Sequence, residues 1–292
     1  MSFAIITDTS ANLPTKLAEK EKITVIPFTY MINGEEFICP DTEKFNCKEY
    51  YQSLKEGIKV TTSQINPQKY IDYMEPILKK EQDILYIGMS SGISGSFASA
   101  QIAREQLKDS YPNRNILLAD SLGASLGEGL LVLKAAECRA RGMSLEKTEE
   151  FILERRRHIC QVFTVDDLMF LRRGGRLSNA AAAVGTILGI KPLLKGNDEG
   201  KIVSFGKIRG RRGVISALAK KYDKLAVETE RQLIGISHGG CPEDAQQLAQ
   251  MLRMERPPRE IMIVEHEPVT GSYLGPSSLA LYFEGDENVR FE

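Results

Sequence analysis

Asp83-Ile84-Leu85-Tyr86-Ile87-Gly88-Met89-Ser90-Ser91-Gly92-Ile93-Ser94-Gly95-Ser96-Phe97-Ala98-Ser99-Ala100 is the stretch that decides the fold. Its opening residues, 83–89, are an apolar run of strand length. Residues 97–107 put Phe97, Ile102, Ala103 and Leu107 on one face of a helix. Between them, residues 90–96 form a turn made almost wholly of Ser and Gly. A strand, a small-residue turn and a helix present unpaired backbone N–H groups at the positive end of the helix dipole. Four serines add hydroxyls able to donate to a carboxylate or a phosphate. The same residues also make an ordinary capped βα turn. Neither a GxGxxG fingerprint nor GxxxxGK[ST] occurs in the chain.

Working outward, the unit recurs. Residues 3–7 (Phe-Ala-Ile-Ile-Thr) are a short apolar run ending in Asp8-Thr9-Ser10, with Pro14 as a good first helical residue. Residues 115–119 are another, ending in Asp120-Ser121, and a long helical pattern from 126 to 141 follows. Ligands of open α/β sheets gather outside the carboxyl ends of the strands, which puts Asp8 and Ser10 near the 90–96 turn. Residues 60–67, Val-Thr-Thr-Ser-Gln-Ile-Asn-Pro, read as a polar loop leading to a helix over 68–80. If that helix is a right-handed crossover, Thr61-Thr62-Ser63 and the 90–96 turn share one edge of a sheet. Residues 23–32 are one β-branched and aromatic run closed by Asn33-Gly34, the strongest short hairpin signal. Asn46 and Glu49 resemble a capping box. The alternation predicts a mostly parallel sheet covered by helices, with a domain boundary near 160.

The second half changes pattern. Residues 160–165 read as a strand, with Asp166 as the cap of the next helix. Residues 180–190 are small and apolar on all sides, a helix that must pack closely against other protein. Residues 193–205 read as a hairpin with a long tip, and residues 233–237, 260–264 and 278–283 as further strands. The segment 269–276 reads as a glycine-proline turn. Six arginines, from Arg172 to Arg176 and from Arg209 to Arg212, suit a phosphate or an acidic partner. For Arg173 and Arg211 the plainer reading is a solvated surface residue. Ser237-His238 are adjacent on a strand and point in different directions, so they read as structural.

Composition narrows the function. The 292 residues carry a net charge of -1, with 42% hydrophobic and 26% charged residues. That is an ordinary globular chain with no electrostatic case for nucleic acid or an anionic membrane surface. No apolar run approaches membrane-spanning length, and residues 1–8 lack the form of a secretory leader. Five cysteines at 39, 47, 138, 160 and 241 have neither zinc nor redox spacing and read as reduced thiols of a cytoplasmic protein. The three histidines form no HExxH.

Five motifs in order, Asp8-Thr9-Ser10-Ala11-Asn12-Leu13-Pro14, Thr62-Ser63-Gln64, residues 90–96, Asp120-Ser121 and Arg173-Gly174-Gly175-Arg176-Leu177-Ser178, carry a resemblance across essentially the whole chain. Each is weak alone; five in register are specific. The chain resembles the DegV family, bacterial fatty-acid-binding proteins that serve as acyl-carrying subunits of fatty acid kinase. The resemblance implies two α/β domains with a long-chain fatty acid buried between them and no cofactor or catalytic residue. Residues 1–160 would hold the carboxylate-binding loops and residues 161–292 would cover the acyl chain. Thr62 and Ser94 match the family's carboxylate-binding pair, with Ser63, Gly95 and Ser96 as neighbours. Arg209 matches an arginine near the head group, and Arg173 a surface arginine facing the kinase. One departure stands out: where the family reads Gly-Ala-His-Thr-Gly-Pro-Gly, this chain has Gly271-Ser272-Tyr273-Leu274-Gly275-Pro276-Ser277, so Tyr273 replaces a head-group histidine.

Two other readings fit the residues. One is a binder of small anions or phosphorylated metabolites that combines the Ser/Gly turn with the arginines. The other is a serine-dependent hydrolase, disfavoured by the absence of GxSxG and of a persuasive His/Asp partner.

Overall fold

The computed structural model describes residues 3–39, 41–177 and 189–291. The chain forms two compact units, Met1–Phe45 with Thr61–Arg156 and Asn46–Val60 with Arg157–Glu292. The second unit thus takes back a piece of the first half, which a single cut near 160 does not capture. Two tyrosines explain the exchange. The helix Cys47–Lys55 buries Tyr50 and Tyr51, whose hydroxyls donate to the carbonyls of Pro268 at 2.6 Å and His266 at 2.9 Å.

In the first unit, β1 (Ala4–Asp8), β2 (Ile23–Ile26), β6 (Ile84–Gly88) and β7 (Ile116–Asp120) form a wholly parallel sheet in the order β2-β1-β6-β7. All five residues of β6 are buried, as the continuous apolar runs of a sheet covered on both faces require. Helix Leu126–Ala140 packs on β1 and β6, and Ser96–Ser110 on β7. A separate three-stranded sheet, in the order β4-β3-β5, contains β3 (Thr29–Ile32), β4 (Glu35–Ile38) and β5 (Val60–Ser63). The run 23–32 is therefore two strands in two sheets. Pro27 lacks the N–H a ladder needs, and the chain leaves the first sheet there. Asn33 and Gly34 both have positive φ, 52° and 87°, the geometry of the expected two-residue hairpin turn. Residues 60–63, expected as loop, are an edge strand: their β-branched side chains alternate between half-buried and exposed, the signature of a strand with one covered face.

The second unit is a six-stranded mixed sheet, ordered β10-β9-β8-β13-β11-β12. Its strands are β8 (Ile159–Thr164), β9 (Ile190–Gly196), β10 (Ile202–Arg209), β11 (Leu233–His238), β12 (Glu260–Glu265) and β13 (Leu279–Glu284). Only β11 and β12 run parallel; the hairpin β9–β10 is as expected. Helices Arg211–Leu225 and Pro242–Glu255 pack on each other, closing a core that includes Val162, Leu218, Ile236, Leu248, Leu281 and Phe283. Two local expectations need correction. Asp166 does not cap a helix but pairs with Lys191 at 2.8 Å, while Asp167 accepts from the Met169 N–H. The expected turn over 269–276 is mostly the helix Pro268–Leu274, because Glu267 accepts from the Val269 and Thr270 N–H groups and Pro268 is preset for a first helical position. The apolar helix expected over 180–190 falls, up to residue 188, outside the described residues.

His266 follows β12 with its ring wholly buried, 3.5 Å from the Ser237 hydroxyl. Burial first, and His238 nearby second, push its pKa down to about 3 from 6.5. Between those values the unfolded chain binds a proton that the folded chain does not. The stabilisation is therefore complete above about pH 6.5 and declines as pH falls toward 3. Going from pH 7.5 to about pH 5 removes about 2 kcal/mol through this group. Asp8, whose burial raises its pKa, contributes with the opposite sign. Urea unfolding of wild type and His266→Gln at both pH values isolates the histidine; parallel losses in the two proteins contradict the assignment.

Candidate functional site

The turn 90–96 is built by its own hydroxyls. Ser90 Oγ accepts from the Gly92 N–H at 3.1 Å, and the Ser90 carbonyl accepts from the Ile93 and Ser94 N–H groups. Ser91 donates through its N–H and hydroxyl to Asp120, at the end of β7. The helix Ser96–Ser110 starts after Gly95, which offers no side-chain cap. Ser94 stands in, its Oγ accepting from the Ser96 N–H at 3.2 Å and lying 3.0 Å from Ser96 Oγ.

The residues that follow Thr62-Ser63 reach this turn, but from the separate three-stranded sheet and not along the shared sheet edge expected from the sequence. Ser96 Oγ accepts from the Ile65 N–H at 3.1 Å, and Gln64 Nε2 donates to Ser99 Oγ at 3.3 Å. Gln64 lies directly over Gly95, where a Cβ would meet its Oε1 at 2.1 Å. Gln64 thus joins the candidate residues, and nothing in its spacing from Thr62 announces the contact. Successive side chains of a strand point to opposite faces, so the hydroxyls of half-buried Thr62 and exposed Ser63 diverge. Ser94 and Ser96 thus lie at the first turn of the helix, and it is Gln64 and Ile65, two and three residues past Thr62, that contact it. Asp8 is also close, as expected, accepting from the Met89 N–H at 3.2 Å.

The remaining candidates lie in the second unit. Tyr273, on the helix Pro268–Leu274, is half-buried with its ring against Gly174, and the Arg176 guanidinium sits 4.6 Å from the ring centroid. Nothing in the sequence links residues 97 positions apart, so that cation–π pair was illegible there. Exposed Arg173 stacks on Phe170 at 4.9 Å and donates to the Met169 carbonyl. Arg209 ends β10 opposite Ile190 with an exposed side chain. Arg211 is not the solvated residue expected: its guanidinium pairs with Asp244 at 2.8 Å and lies 3.6 Å from Asp166. Ser237 turns toward His266 and Tyr282 rather than His238, and is wholly buried. Among the described residues, no acidic, Cys or His cluster has metal-binding geometry and no helix is long and apolar enough to cross a membrane.

These features define the class: an α/β protein of two units whose first unit carries a Ser/Gly turn between a parallel strand and the N-terminus of a helix. The particular family follows from comparison. The sequence profile described as uncharacterised protein, DegV family, matches residues 2–286, and the chain belongs to the DegV family. A DegV domain-containing protein of Clostridium perfringens is 38% identical over 284 residues, spanning 97% of this chain and 98% of the relative. Among solved structures, the fatty-acid-binding DegV family protein of Thermus thermophilus has a TM-score of 0.88 at 29% identity, covering 98% of this chain and 100% of that one. DegV of Bacillus subtilis, described as a fatty acid binding protein, has a TM-score of 0.84 at 30% identity over the same shares.

Proposed function

We propose that this protein binds a long-chain fatty acid, with the carboxylate held by Thr62, Ser94 and the backbone around Gly95 and Ser96. The observation that carries the reading is the convergence of the 62–65 segment on the first turn of helix Ser96–Ser110 through Ser96 and Gln64. Hydroxyls and a helix N-terminus orient the head group. The tail supplies the affinity, since each buried methylene contributes ~0.8 kcal/mol. The fatty-acid-binding relatives at 29% and 30% identity support the ligand class. Arg209 and Tyr273 enter as head-group residues on the family resemblance. Competition against a fluorescent fatty acid tests the reading. Hexadecanoate is expected to displace the probe at micromolar concentration or below, on the order of 8 kcal/mol of binding, and inorganic phosphate or a sugar phosphate to leave it bound. Displacement by the phosphates alone would convert the site into a small-anion site.

Presentation of the carboxylate to a fatty acid kinase, with Arg173 facing the partner, is the further role we assign, in a bacterial cytoplasm that suits five free cysteines. Tyr273 tests it. A histidine there brings a group able to carry positive charge, which a phenol cannot. Phosphoryl transfer depends on electrostatic stabilisation of developing charge. Tyr273→His is therefore expected to raise turnover in a reconstituted assay with a kinase subunit and ATP, at unchanged fatty acid affinity. Equal or lower turnover defeats the role given to this position.

A further inference from the structure

Asp8 ends β1 with its carboxylate wholly buried. Oδ1 accepts from the Ser10 N–H at 2.9 Å; Oδ2 accepts from the Tyr86 hydroxyl at 2.8 Å and the Met89 N–H at 3.2 Å. Met89 is the residue between the end of β6 and the turn 90–96. The Tyr70 and Tyr86 hydroxyls lie 2.8 Å apart. With the Tyr86 proton committed to Asp8, Tyr70 is the donor of that pair, and two hydroxyls in series direct their protons toward the carboxylate. The Tyr86 ring stacks on Phe97 at 6.4 Å, in the first turn of helix Ser96–Ser110.

One carboxylate therefore holds both flanks of the turn that carries Ser94 and Ser96. It grips Met89 at the start directly and Phe97 at the end through the Tyr86 ring. Glu128, the neighbouring buried acid, accepts from the hydroxyls of Thr7 and Ser10, the latter also within reach of Asp8. Stability alone does not explain such a group. A buried carboxylate is expensive to desolvate, and apolar replacement of buried charges is often neutral or stabilising.

We infer that Asp8 is a positioning residue for the fatty acid head group, setting through Met89 and the Tyr86–Phe97 stack the placement of Ser94 and Ser96 that a carboxylate requires. This rests on the fatty acid reading of Thr62 and Ser94. Asp8→Asn keeps the volume but replaces one oxygen by an NH2 donor. With its NH2 toward Met89 the amide faces that N–H with a donor and breaks the hold on the turn; with its NH2 toward Ser10 the Met89 N–H and the Tyr86 hydroxyl keep an acceptor, but a neutral and weaker one.

The test compares hexadecanoic acid with hexadecanol on the full chain, by displacement of a fluorescent fatty acid, alongside thermal unfolding. Asp8→Asn is expected to weaken the acid by about tenfold or more and the alcohol by less than about twofold. Leu218→Ala, in the core of the second unit, lowers the melting temperature and leaves the acid-to-alcohol ratio unchanged. A merely structural Asp8 would weaken both ligands alike; that result, or unchanged acid affinity in folded Asp8→Asn protein, overturns the inference. If Asp8→Asn does not fold, Tyr86→Phe carries the test, since it keeps the ring on Phe97 and removes only the hydroxyl. About a threefold loss for the acid alone supports the inference, and no loss overturns it. Wild-type protein that binds neither ligand overturns the fatty acid reading, and the positioning role with it.

Discussion

Replacing Thr62 and Ser94 together by alanine is expected to raise the fatty acid dissociation constant by two orders of magnitude or more, with the protein still folded. A hydrogen bond to a charged carboxylate contributes about 1.5–3 kcal/mol. Two such bonds at the lower end amount to about 3 kcal/mol, a factor of about 150. In the proposed site the two residues serve one ligand atom group, so the double variant need not equal the sum of the singles. Thr62 and Ser94 are only half-buried, and removing them leaves no large cavity. Ser94 also accepts from the Ser96 N–H, so its loss costs the helix start about 1 kcal/mol. The matching control is a fatty alcohol, whose affinity comes from the tail and should change little. Isothermal titration of delipidated protein checks the expectation. Unchanged acid affinity in both single variants would move the head group elsewhere.

The second large effect is on stability. Gly129 lies in the helix Leu126–Ala140, where Gly→Ala normally gains about 1 kcal/mol from helix propensity. Here a Cβ would stand 2.4 Å from the Ala11 carbonyl oxygen and 3.0 Å from Leu13 Cδ2. The obstacle is backbone, and that backbone is pinned: Ser10 beside it donates through its N–H to Asp8 and through its hydroxyl to Glu128. Overpacking against a fixed group costs 1–3 kcal/mol or more and outweighs the propensity gain. Gly129→Ala is expected to destabilise the first unit by about 2 kcal/mol and lower its melting temperature by about 5 °C. Calorimetry reads this directly. A stabilised variant would mean that the 9–13 segment yields easily.

The βα alternation of the first unit was legible because each strand is a continuous apolar run ending in a polar turn, a pattern local in sequence. What escaped was set by distant partners. Val60–Ser63 became a strand because β3 offers it an edge, and no local residue announces that pairing. Residues 46–60 joined the second unit because Tyr50 and Tyr51 find carbonyls more than 200 positions away. Pro27, between β2 and β3, is the local signal that divides the run 23–32, because its missing N–H ends the ladder. At the candidate site, turn chemistry singles out Ser94 and Ser96, and only the family pattern singles out Thr62. Gln64 over Gly95, Arg176 over Tyr273 and the two flanks held by Asp8 are contacts of the folded chain alone.

The central claim is settled most directly by solvent extraction and mass spectrometry of the protein purified from a bacterial host in its folded state. A long-chain fatty acid in about equimolar amount, retained through gel filtration and lost on denaturation, is the expected result. Folded protein whose extract holds no acyl species, and which takes up none when hexadecanoate is added, contradicts it.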